Sequence, residues 1–378
     1  MKAALRGSSK CRFLHGTAWL WCAVRSWHRL ALAILLPGLV FTGLAFGEVG
    51  LAESDKDITF FRIGTGATSG TYFPIGGLIA SAISNPPGSM ACDRGGSCGV
   101  PGMVAVAQAT EGSVANIEAI IAGRLESCFS QADVAHWALT GTKIFGKKKK
   151  GKHKRLVEKT LRSIANLFPE SVHLVVQRDS FIKSVFDLKG KKVSLGEPES
   201  GTLASVLPIL QGYNLTRKKI KPFYLSPGEA ADKLRVGALD AFFLVAGSPV
   251  TAIADLARTL PIALVPIADI QSQKIRKSNP FFVQAIIPKG VYEGVEDTRT
   301  LGVGAQWLVS AEVPDDRIYA ITRALWHDNV LDILRDSHPL GNMIRLETAL
   351  DGLAAPLHPG AARFYQERGL KTVGLKIF

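Results

Sequence analysis

The sequence predicts an α/β fold built on parallel sheet, and two observations support this. Segments rich in β-branched and aromatic residues alternate with segments of helical periodicity, with glycine-rich turns between them. The alternation runs once up to about residue 177 and restarts after Phe186–Gly190. About 325 residues follow a distinctive amino-terminal segment, which is enough for two domains.

The elements can be assigned in order along each half. In the first half we expect strands at 58–64, 103–108 and 126–129, helices at 71–84, 114–123 and 132–140, and extended chain at 161–168 and 171–177. In the second half we expect strands at 192–195, 220–224, 240–245 and 262–266, with helices at 202–212, 227–236 and 249–257. Apolar extended segments at 282–287 and 301–309 and a long helix at 315–334 complete the pattern.

Residues 1–52 have the pattern of an export signal. Six basic residues and no acid precede residue 30, a 17-residue apolar run follows, and small residues come after it. We expect cleavage near Gly47 or Ala52, with an uncut membrane anchor as the alternative. Either outcome makes the remaining chain an exported, periplasmic protein.

The formal charge of +13 comes mainly from two short regions. Residues 1–52 contribute +5 and the lysine-rich run 147–155 contributes +7, which leaves +1 for the rest of the chain. Nucleic-acid-binding proteins usually spread basic residues over a whole face. We therefore expect no nucleic-acid partner, and we interpret the basic run as a solvated loop, with a membrane or partner contact as the alternative.

Three cysteines follow the expected signal, namely Cys92, Cys98 and Cys128. An oxidising compartment permits disulfides. The glycine-rich spacing between Cys92 and Cys98 favours a small closed ring, so we expect this pair to be linked and Cys128 to be free and buried. No metal site is expected, since a zinc site would need a fourth ligand and a different spacing.

Four predicted strands end in a small-residue turn that begins a helix. Ligands of open α/β sheets bind beyond the carboxyl ends of the strands, where helix N-termini present free N–H groups and partial positive charge. Two turns in each half suggest an anion site between the halves, although Ser and Thr also cap helices without any ligand. The turns are Thr68–Thr71, Thr110–Ser113, Glu199–Thr202 and Ala246–Pro249.

A dinucleotide site is a weaker interpretation of the first turn. Gly64, Gly66 and Gly70 give a glycine spacing one residue longer than the usual fingerprint. The acid that would hold a ribose about 20 residues later is missing, because a proline turn at 85–88 occupies that place.

The chain resembles the TAXI family, the periplasmic solute receptors of tripartite ATP-independent (TRAP) transporters. The resemblance covers about residues 58–378 and departs from the usual family pattern at Ser248, where a second glycine is common, and in the unusual lysine-rich run. Its motifs are IGTGATSGTYFPIGG (63–77), GSVANIEAI (112–120), QADVAHWA (131–138), DLKGKKVSLGEPESGT (187–202), LDAFFLVAGSP (239–249) and PLHPGAARFY (356–365).

The resemblance implies a type II periplasmic-binding-protein fold, in which a ligand cleft lies between two α/β lobes joined by crossing hinge strands. Lobe 1 would be discontinuous, residues 53–177 plus 285–378, and lobe 2 would be residues 178–284. The crossings would be 171–177 and 282–287. The implied ligands are glutamate, glutamine or 2-oxoglutarate-like carboxylates, delivered to the TRAP membrane permease subunits by a receptor that is a monomer without a cofactor.

The residues of the turns suit a carboxylate, which needs several hydrogen-bond donors. Tyr72 would form a wall or pack within its helix, and Gln131 would contact a polar ligand tail or cap the following helix. No arginine lies in the four turns, so we expect neutral donors. The predicted ligand-binding residues are Gly66, Thr68, Ser69, Gly70, Thr71, Tyr72, Ser113, Gln131, Ser200, Gly201, Thr202, Gly247 and Ser248.

Catalysis is not expected. Gly95–Gly99 matches the G-x-S-x-G pattern of hydrolases, but the strand and helix that this motif requires are not predicted around it. The histidines are scattered, and His358 is expected to be structural. The alternatives to a transport receptor are an exported ligand sensor and, less favoured, a secreted hydrolase or isomerase.

Overall fold

A computed structural model of the chain describes residues 58–146 and 150–372. The expected signal segment and the first three lysines of the basic run lie outside these ranges. The strands are β1 (Thr59–Gly64), β2 (Ser84–Asn85), β3 (Val100–Pro101), β4 (Met103–Gln108), β5 (Ser127–Gln131), β6 (Leu161–Gln177), β7 (Lys192–Ser194), β8 (Lys221–Phe223), β9 (Ala241–Ala246), β10 (Ile262–Leu264), β11 (Val283–Ile287) and β12 (Thr298–Ser310).

Helices alternate with these strands, as the sequence predicted. They are α1 (Tyr72–Ile83), α2 (Ser113–Ile121), α3 (Ala132–Thr140), α4 (Lys150–Thr160), α5 (Gly201–Gly212), α6 (Pro227–Arg235), α7 (Thr251–Thr259), α8 (Ile270–Ser278), α9 (Asp315–Leu325), α10 (Asp328–Ser337) and α11 (Pro359–Glu367). Among the helices of the described ranges, none is long and apolar enough to cross a membrane.

All described strands belong to one sheet with the order β3-β2-β4-β1-β5-β12-β6-β9-β7-β8, with β10 on β6 and β11 on β12. The strands β4, β1 and β5 are parallel and form what we call the first sheet end. The strands β9, β7 and β8 are also parallel and form the second sheet end. This arrangement confirms the predicted α/β fold class.

Two long antiparallel strands, β6 and β12, connect the sheet ends. Residues 161–171 of β6 pair with β12, and residues 171–176 pair with β9 of the second sheet end. Residues 305–309 of β12 pair with β5 of the first sheet end. Each strand is long enough to contribute to both regions, which lets the chain pass between them.

The expected crossing at 282–287 is wrong. These residues form β11, which pairs with residues 298–302 of β12 and leaves Val283 and Ile286 exposed. The second crossing is β12 itself, because its 13 residues are long enough to span the region between the sheet ends. Residues 58–372 otherwise pack as one continuous unit, so the predicted lobe boundaries stay a prediction.

Two further expectations need correction. The described part of the basic run is helical, since α4 begins at Lys150, and its His153 contacts Glu118 while Val157 is fully buried. The helix expected at 315–334 is two helices, since the first ends at Leu325 with Trp326 as its C-cap and His327 caps the second by accepting the Asn329 N–H. Side-chain periodicity alone does not show such a break.

The cysteine prediction is confirmed. Cys92 and Cys98 are linked, and Cys128 is a free, fully buried thiol in β5. Ser97, between the linked cysteines, donates its hydroxyl to the Ser84 carbonyl and accepts the Gly99 N–H. A short 3-10 turn and the two-residue β3 flank this segment, so it lacks the strand–turn–helix of a nucleophile elbow.

Candidate functional site

A cavity of about 70 Å³ lies where the carboxyl ends of the two sheet ends face each other. Turns from three of the four predicted places reach it, after β1, β4 and β7. One water needs roughly 10–15 Å³ of such space, so the cavity has room for a few small groups. It is lined by Gly66, Ala67, Gly70, Thr71, Tyr72, Glu111, Gly112, Ser113, Gln131, Glu170, Gly196, Glu197, Ser200, Gly201, Thr202, Leu225, Pro227, Ala230 and Phe243–Ala246.

Buried Asn116 in α2 positions the turns of the first sheet end. Its side-chain amide donates to the Thr65 carbonyl at 2.6 Å and to the Phe129 carbonyl at 2.9 Å. Its side-chain oxygen accepts the Thr110 hydroxyl at 2.7 Å. One side chain therefore ties together the ends of β1 and β5 and the turn after β4.

Helix N-termini direct partial positive charge at the cavity. The first residues of α1 and α5, Tyr72 and Gly201, both line it, as does Pro227 at the start of α6. N–H groups in a first helical turn have no partner within their own helix. An anion in the cavity would receive hydrogen bonds and a favourable dipole interaction from the N-termini of α1 and α5, whereas Pro227 has no N–H and the Gly228 N–H is bonded to Ser69.

The start of α2 is different, although Ser113 lines the cavity. The N–H groups of Val114 and Ala115 both donate, at 3.1 Å, to the carbonyl of Glu199 in the turn before α5. These bonds join the two sheet ends directly. The N–H groups at the start of α2 therefore join the two sheet ends, and a ligand could accept hydrogen bonds from them only if those bonds were broken.

Most of the predicted hydroxyl donors are already engaged in the protein. Ser200 donates to the Glu197 carbonyl and accepts the Leu203 N–H, as a helix cap does. Thr202 accepts the Val245 N–H at 3.0 Å, and Ser113 accepts the Gln131 N–H at 3.1 Å. The hydroxyls of Thr202 and Ser113 keep a proton to donate, but each is held in place by the fold.

Thr71 differs from these hydroxyls. It is 3% exposed and lines the cavity, and its hydroxyl oxygen has no hydrogen-bond partner within the described residues. A buried hydroxyl without a partner costs about 1–3 kcal/mol. A ligand that accepts a hydrogen bond at this point would remove that cost.

Tyr72 and Glu170 form a buried pair on the cavity wall. The Tyr72 hydroxyl donates to Glu170 Oε2 at 2.7 Å, and the Tyr72 ring packs edge-on against Phe129 and Phe168. Tyr72 is thus both a wall and a packing residue. Burial raises the pKa of the Glu170 carboxyl well above its usual range, and burial together with Glu170 raises the pKa of the Tyr72 hydroxyl.

Gln131 does not cap α3 through its side chain, which resolves the alternative left by the sequence. Its side-chain oxygen lies 3.1 Å from the hydroxyl of Ser205 in α5. The same hydroxyl donates to buried Asp133 at 2.6 Å. These contacts link β5 and α3 with a helix of the second sheet end. Burial raises the pKa of Asp133 to about 6.

Four predicted ligand residues do not line the cavity. Ser69, instead, accepts the Gly228 N–H on its hydroxyl and the Ala252 N–H on its carbonyl, so it joins the sheet ends at their rim. Thr68 lies outside the wall in the same turn. Gly247 and Ser248 of the fourth turn also lie outside the wall, since Gly247 faces Leu340 and Phe168 and Ser248 contacts His173.

His173 explains the position of the fourth turn. It is fully buried, its Nδ1 donates to the Ser171 carbonyl, and its Nε2 accepts from the Tyr292 hydroxyl at 3.0 Å and lies 3.2 Å from the Ser248 hydroxyl. Tyr292 also accepts the Val250 N–H. Burial lowers the pKa of His173 to about 4, so the ring is neutral at pH 7. The preceding β9 residues, 243–246, face the cavity in place of the turn.

Sequence reasoning missed the acidic residues of the wall. Glu111 follows β4, Glu197 follows β7 and Glu170 lies within β6, and no arginine, lysine or histidine is among the described lining residues. Glu111 and Glu197 lie inside motifs already singled out, next to predicted residues, so their position beside the turns was a usable signal. Glu170 was not accessible to motif reasoning because it lies in the middle of a long strand.

Comparison with known proteins places this fold in a family. Residues 63–369 match the profile of the family described as NMT1-like. The chain belongs to the NMT1-like family. The match includes every turn of the cavity wall.

Solved structures resemble the chain at low sequence identity. The periplasmic aliphatic sulphonate binding protein SsuA from Escherichia coli is 14% identical, with a TM-score of 0.40 over 84% of this chain and 90% of that one. The alkanesulfonate-binding protein SsuA from Xanthomonas axonopodis pv. citri, bound to MOPS, is 15% identical, with a TM-score of 0.41 over 84% and 97%. A protein from Bordetella bronchiseptica RB50 is 14% identical, with a TM-score of 0.47 over 82% and 83%.

Proposed function

We propose that this NMT1-like chain is an extracytoplasmic solute-binding receptor that captures a small carboxylate in the cavity between its sheet ends. One observation carries the proposal. Two helix N-termini and the unpartnered hydroxyl of Thr71 converge on one cavity whose described wall contains no basic side chain. Donors of this kind complement a carboxylate without an arginine.

Capture in a receptor of this kind requires the cavity to open and close. At the rim the sheet ends meet through hydrogen bonds, of Glu199 with Val114 and Ala115 and of Ser69 with Gly228 and Ala252, each worth about 0.5–1.5 kcal/mol. Opening would also break the buried contacts of Ser205 with Gln131 and Asp133 and the packing of α2 and α3 against α5. The lobes at 53–177 plus 285–378 and at 178–284 remain our proposed moving parts, with β6 and β12 as the connection.

The finer proposal follows the TAXI resemblance of the quoted motifs. The receptor would act as a monomer in the periplasm and deliver glutamate, glutamine or a 2-oxoglutarate-like acid to TRAP membrane permease subunits. The residues proposed to contact the ligand are those of the predicted set that line the cavity: Gly66, Gly70, Thr71, Tyr72, Ser113, Gln131, Ser200, Gly201 and Thr202.

Native mass spectrometry of the purified protein tests the ligand class. We expect a retained adduct with the mass of a small mono- or dicarboxylic acid, and calorimetry with that acid should give one site per chain. The Thr71→Val variant is the matched test because it removes the unpartnered hydroxyl and keeps the shape. Purified protein that binds none of L-glutamate, L-glutamine, glutarate and 2-oxoglutarate would contradict the proposal.

A further inference from the structure

The cavity wall has two chemically different regions. Thr71 and Glu170 are 3% and 1% exposed, so this region is buried; its donors are the Thr71 hydroxyl and the N-terminus of α1, while Glu170 accepts the Tyr72 hydroxyl. Glu111 is exposed and Glu197 is half-buried, and they lie on the turns before α2 and α5. This second region presents carboxylates, one from each sheet end.

The negative charge of Glu111 acts on the half-buried carboxyl of Glu197. The pKa of Glu197 is raised, first by burial and then by the negative charges of Glu111 and Glu229. Glu229 is committed to capping α6, where it accepts from Ser226. Closing the sheet ends around the cavity thus brings like charges together, which is unfavourable without a compensating cation.

Nothing in the described wall supplies that cation, because its residues include no lysine, arginine or histidine. A cationic group on the ligand would supply that charge inside the cavity, where Glu197 is half-buried, while Glu111 is also open to solvent. The buried region, with its unpartnered Thr71 hydroxyl and the α1 N-terminus, favours an acceptor of negative charge. A molecule that satisfies both regions carries a negative and a positive group a short distance apart.

We infer that the ligand is a zwitterion, a carboxylate that also carries a protonated amino group, and that Glu111 and Glu197 bind the amino group. This inference rests on the proposed function and selects within it, since it favours amino acids over 2-oxo acids. An ammonium group suits two carboxylates because it has three donors and one charge.

A metal ion between Glu111 and Glu197 is the competing explanation. Ca²⁺ takes six to eight oxygen ligands. In the described part of the chain, no group of three carboxylate, histidine or cysteine ligand atoms meets at this cavity. Glu111 and Glu197 alone would leave most of those positions to water, whereas the two carboxylates match the single charge and the three donors of an ammonium group.

Calorimetry with three acids of the same carbon chain separates the possibilities. L-Glutamate carries an amino group where 2-oxoglutarate carries a ketone and glutarate carries hydrogen. We expect the wild-type protein to bind L-glutamate at least about tenfold more tightly than either of the other two, a difference of about 1.4 kcal/mol. L-Glutamine keeps the amino group, so its affinity should be closer to that of L-glutamate than to those of the other two acids.

The variants Glu111→Gln and Glu197→Gln test the assigned residues. Each should weaken L-glutamate binding about tenfold or more while leaving glutarate binding unchanged or tighter, because only the amino group loses its partner. Glu312→Gln is the matched control, since Glu312 is exposed and is not among the lining residues. It removes the same charge and should leave all affinities unchanged.

Three results would overturn the inference. Equal wild-type affinities for L-glutamate, 2-oxoglutarate and glutarate would show that no amino group is recognised, although the carboxylate receptor would stand. If Glu197→Gln changes L-glutamate affinity no more than Glu312→Gln does, the amino group is not bound at Glu197. Binding that requires added Ca²⁺ or is lost with EDTA would assign the subsite to a metal. Failure of all these acids to bind would instead refute the proposed function itself and this inference with it.

Discussion

Replacing Gly201 with valine should abolish ligand binding and leave the unliganded protein folded. Gly201 begins α5 at the second sheet end, opposite Gln131 and Ser113 of the first. A Cβ atom there would stand 2.6 Å from the Ser113 hydroxyl and still closer to the Gln131 side-chain oxygen. Ordinary contacts begin near 3.4 Å, so either the Gln131 and Ser113 side chains must leave their hydrogen-bonded positions or the ends must separate by about 1 Å.

That displacement has a definite energetic scale. Overpacking of this size costs about 1–3 kcal/mol, and the two hydrogen bonds to the Glu199 carbonyl, each about 1 kcal/mol, would lengthen with it. The helix itself tolerates valine, because residue 201 does not have a left-handed backbone conformation. The closed form is therefore the species that loses stability.

Thermal unfolding with and without ligand measures the effect. Ligand at about 100 times its dissociation constant adds roughly 2.7 kcal/mol of stability. With an unfolding entropy of about 2.1 cal/mol/K per residue over roughly 310 residues, this corresponds to a Tm shift of about 4 °C. We expect that shift in the wild-type protein with its best-binding acid and no shift in Gly201→Val.

Gly77→Val is the control for this experiment. A Cβ at Gly77 in α1 meets no atom within 4 Å, so the same substitution should keep the full ligand shift. Retention of the full shift by Gly201→Val would mean that the α5 turn does not close over the ligand. The site would then be misplaced.

Other predictions follow from the same structure. Thr71→Val should reduce the ligand-induced stabilisation by about 1–2 kcal/mol without destabilising the unliganded protein, since the hydroxyl has no partner there; thermal shifts measure both. In urea unfolding, the free energy of unfolding of Asp133→Asn should increase relative to that of the wild type as pH rises from 4 to 7. The reason is that a carboxyl whose pKa is raised to about 6 in the folded protein lowers wild-type stability over that window by up to about 3 kcal/mol. A stability difference that does not change with pH would contradict this. Replacing Cys92 and Cys98 together by serine should cost about 2 kcal/mol for opening the small ring and should not alter the ligand shift, which calorimetry of the same variant checks. Serine at all of Lys147–Lys150 should leave ligand affinity within about twofold of wild type, and a loss confined to low salt would reveal electrostatic steering instead.

The sequence alone was sufficient for features that depend on neighbouring residues. Alternating periodicity predicted the α/β class, since a helix and a strand each show their buried face in their own spacing. The ring between Cys92 and Cys98 was predictable because only a few glycine-rich residues separate the two. Residues of three of the four strand-end turns line one cavity, and the sequence suggested such a grouping because ligands of α/β sheets bind beyond the carboxyl ends of the strands.

Only the tertiary structure decided which side chains share the cavity. The turn at 246–249 is directed away from the cavity because buried His173 contacts Ser248, a residue 75 positions later in the chain. Glu170 reaches the wall from a strand that crosses between the sheet ends, and its Tyr72 partner is 98 positions away. Among the predicted hydroxyl groups, that of Thr71 is left without a partner within the described residues, whereas the fold engages those of Ser113, Ser200 and Thr202. Such choices depend on sheet order and on packing between distant segments, which no local pattern records.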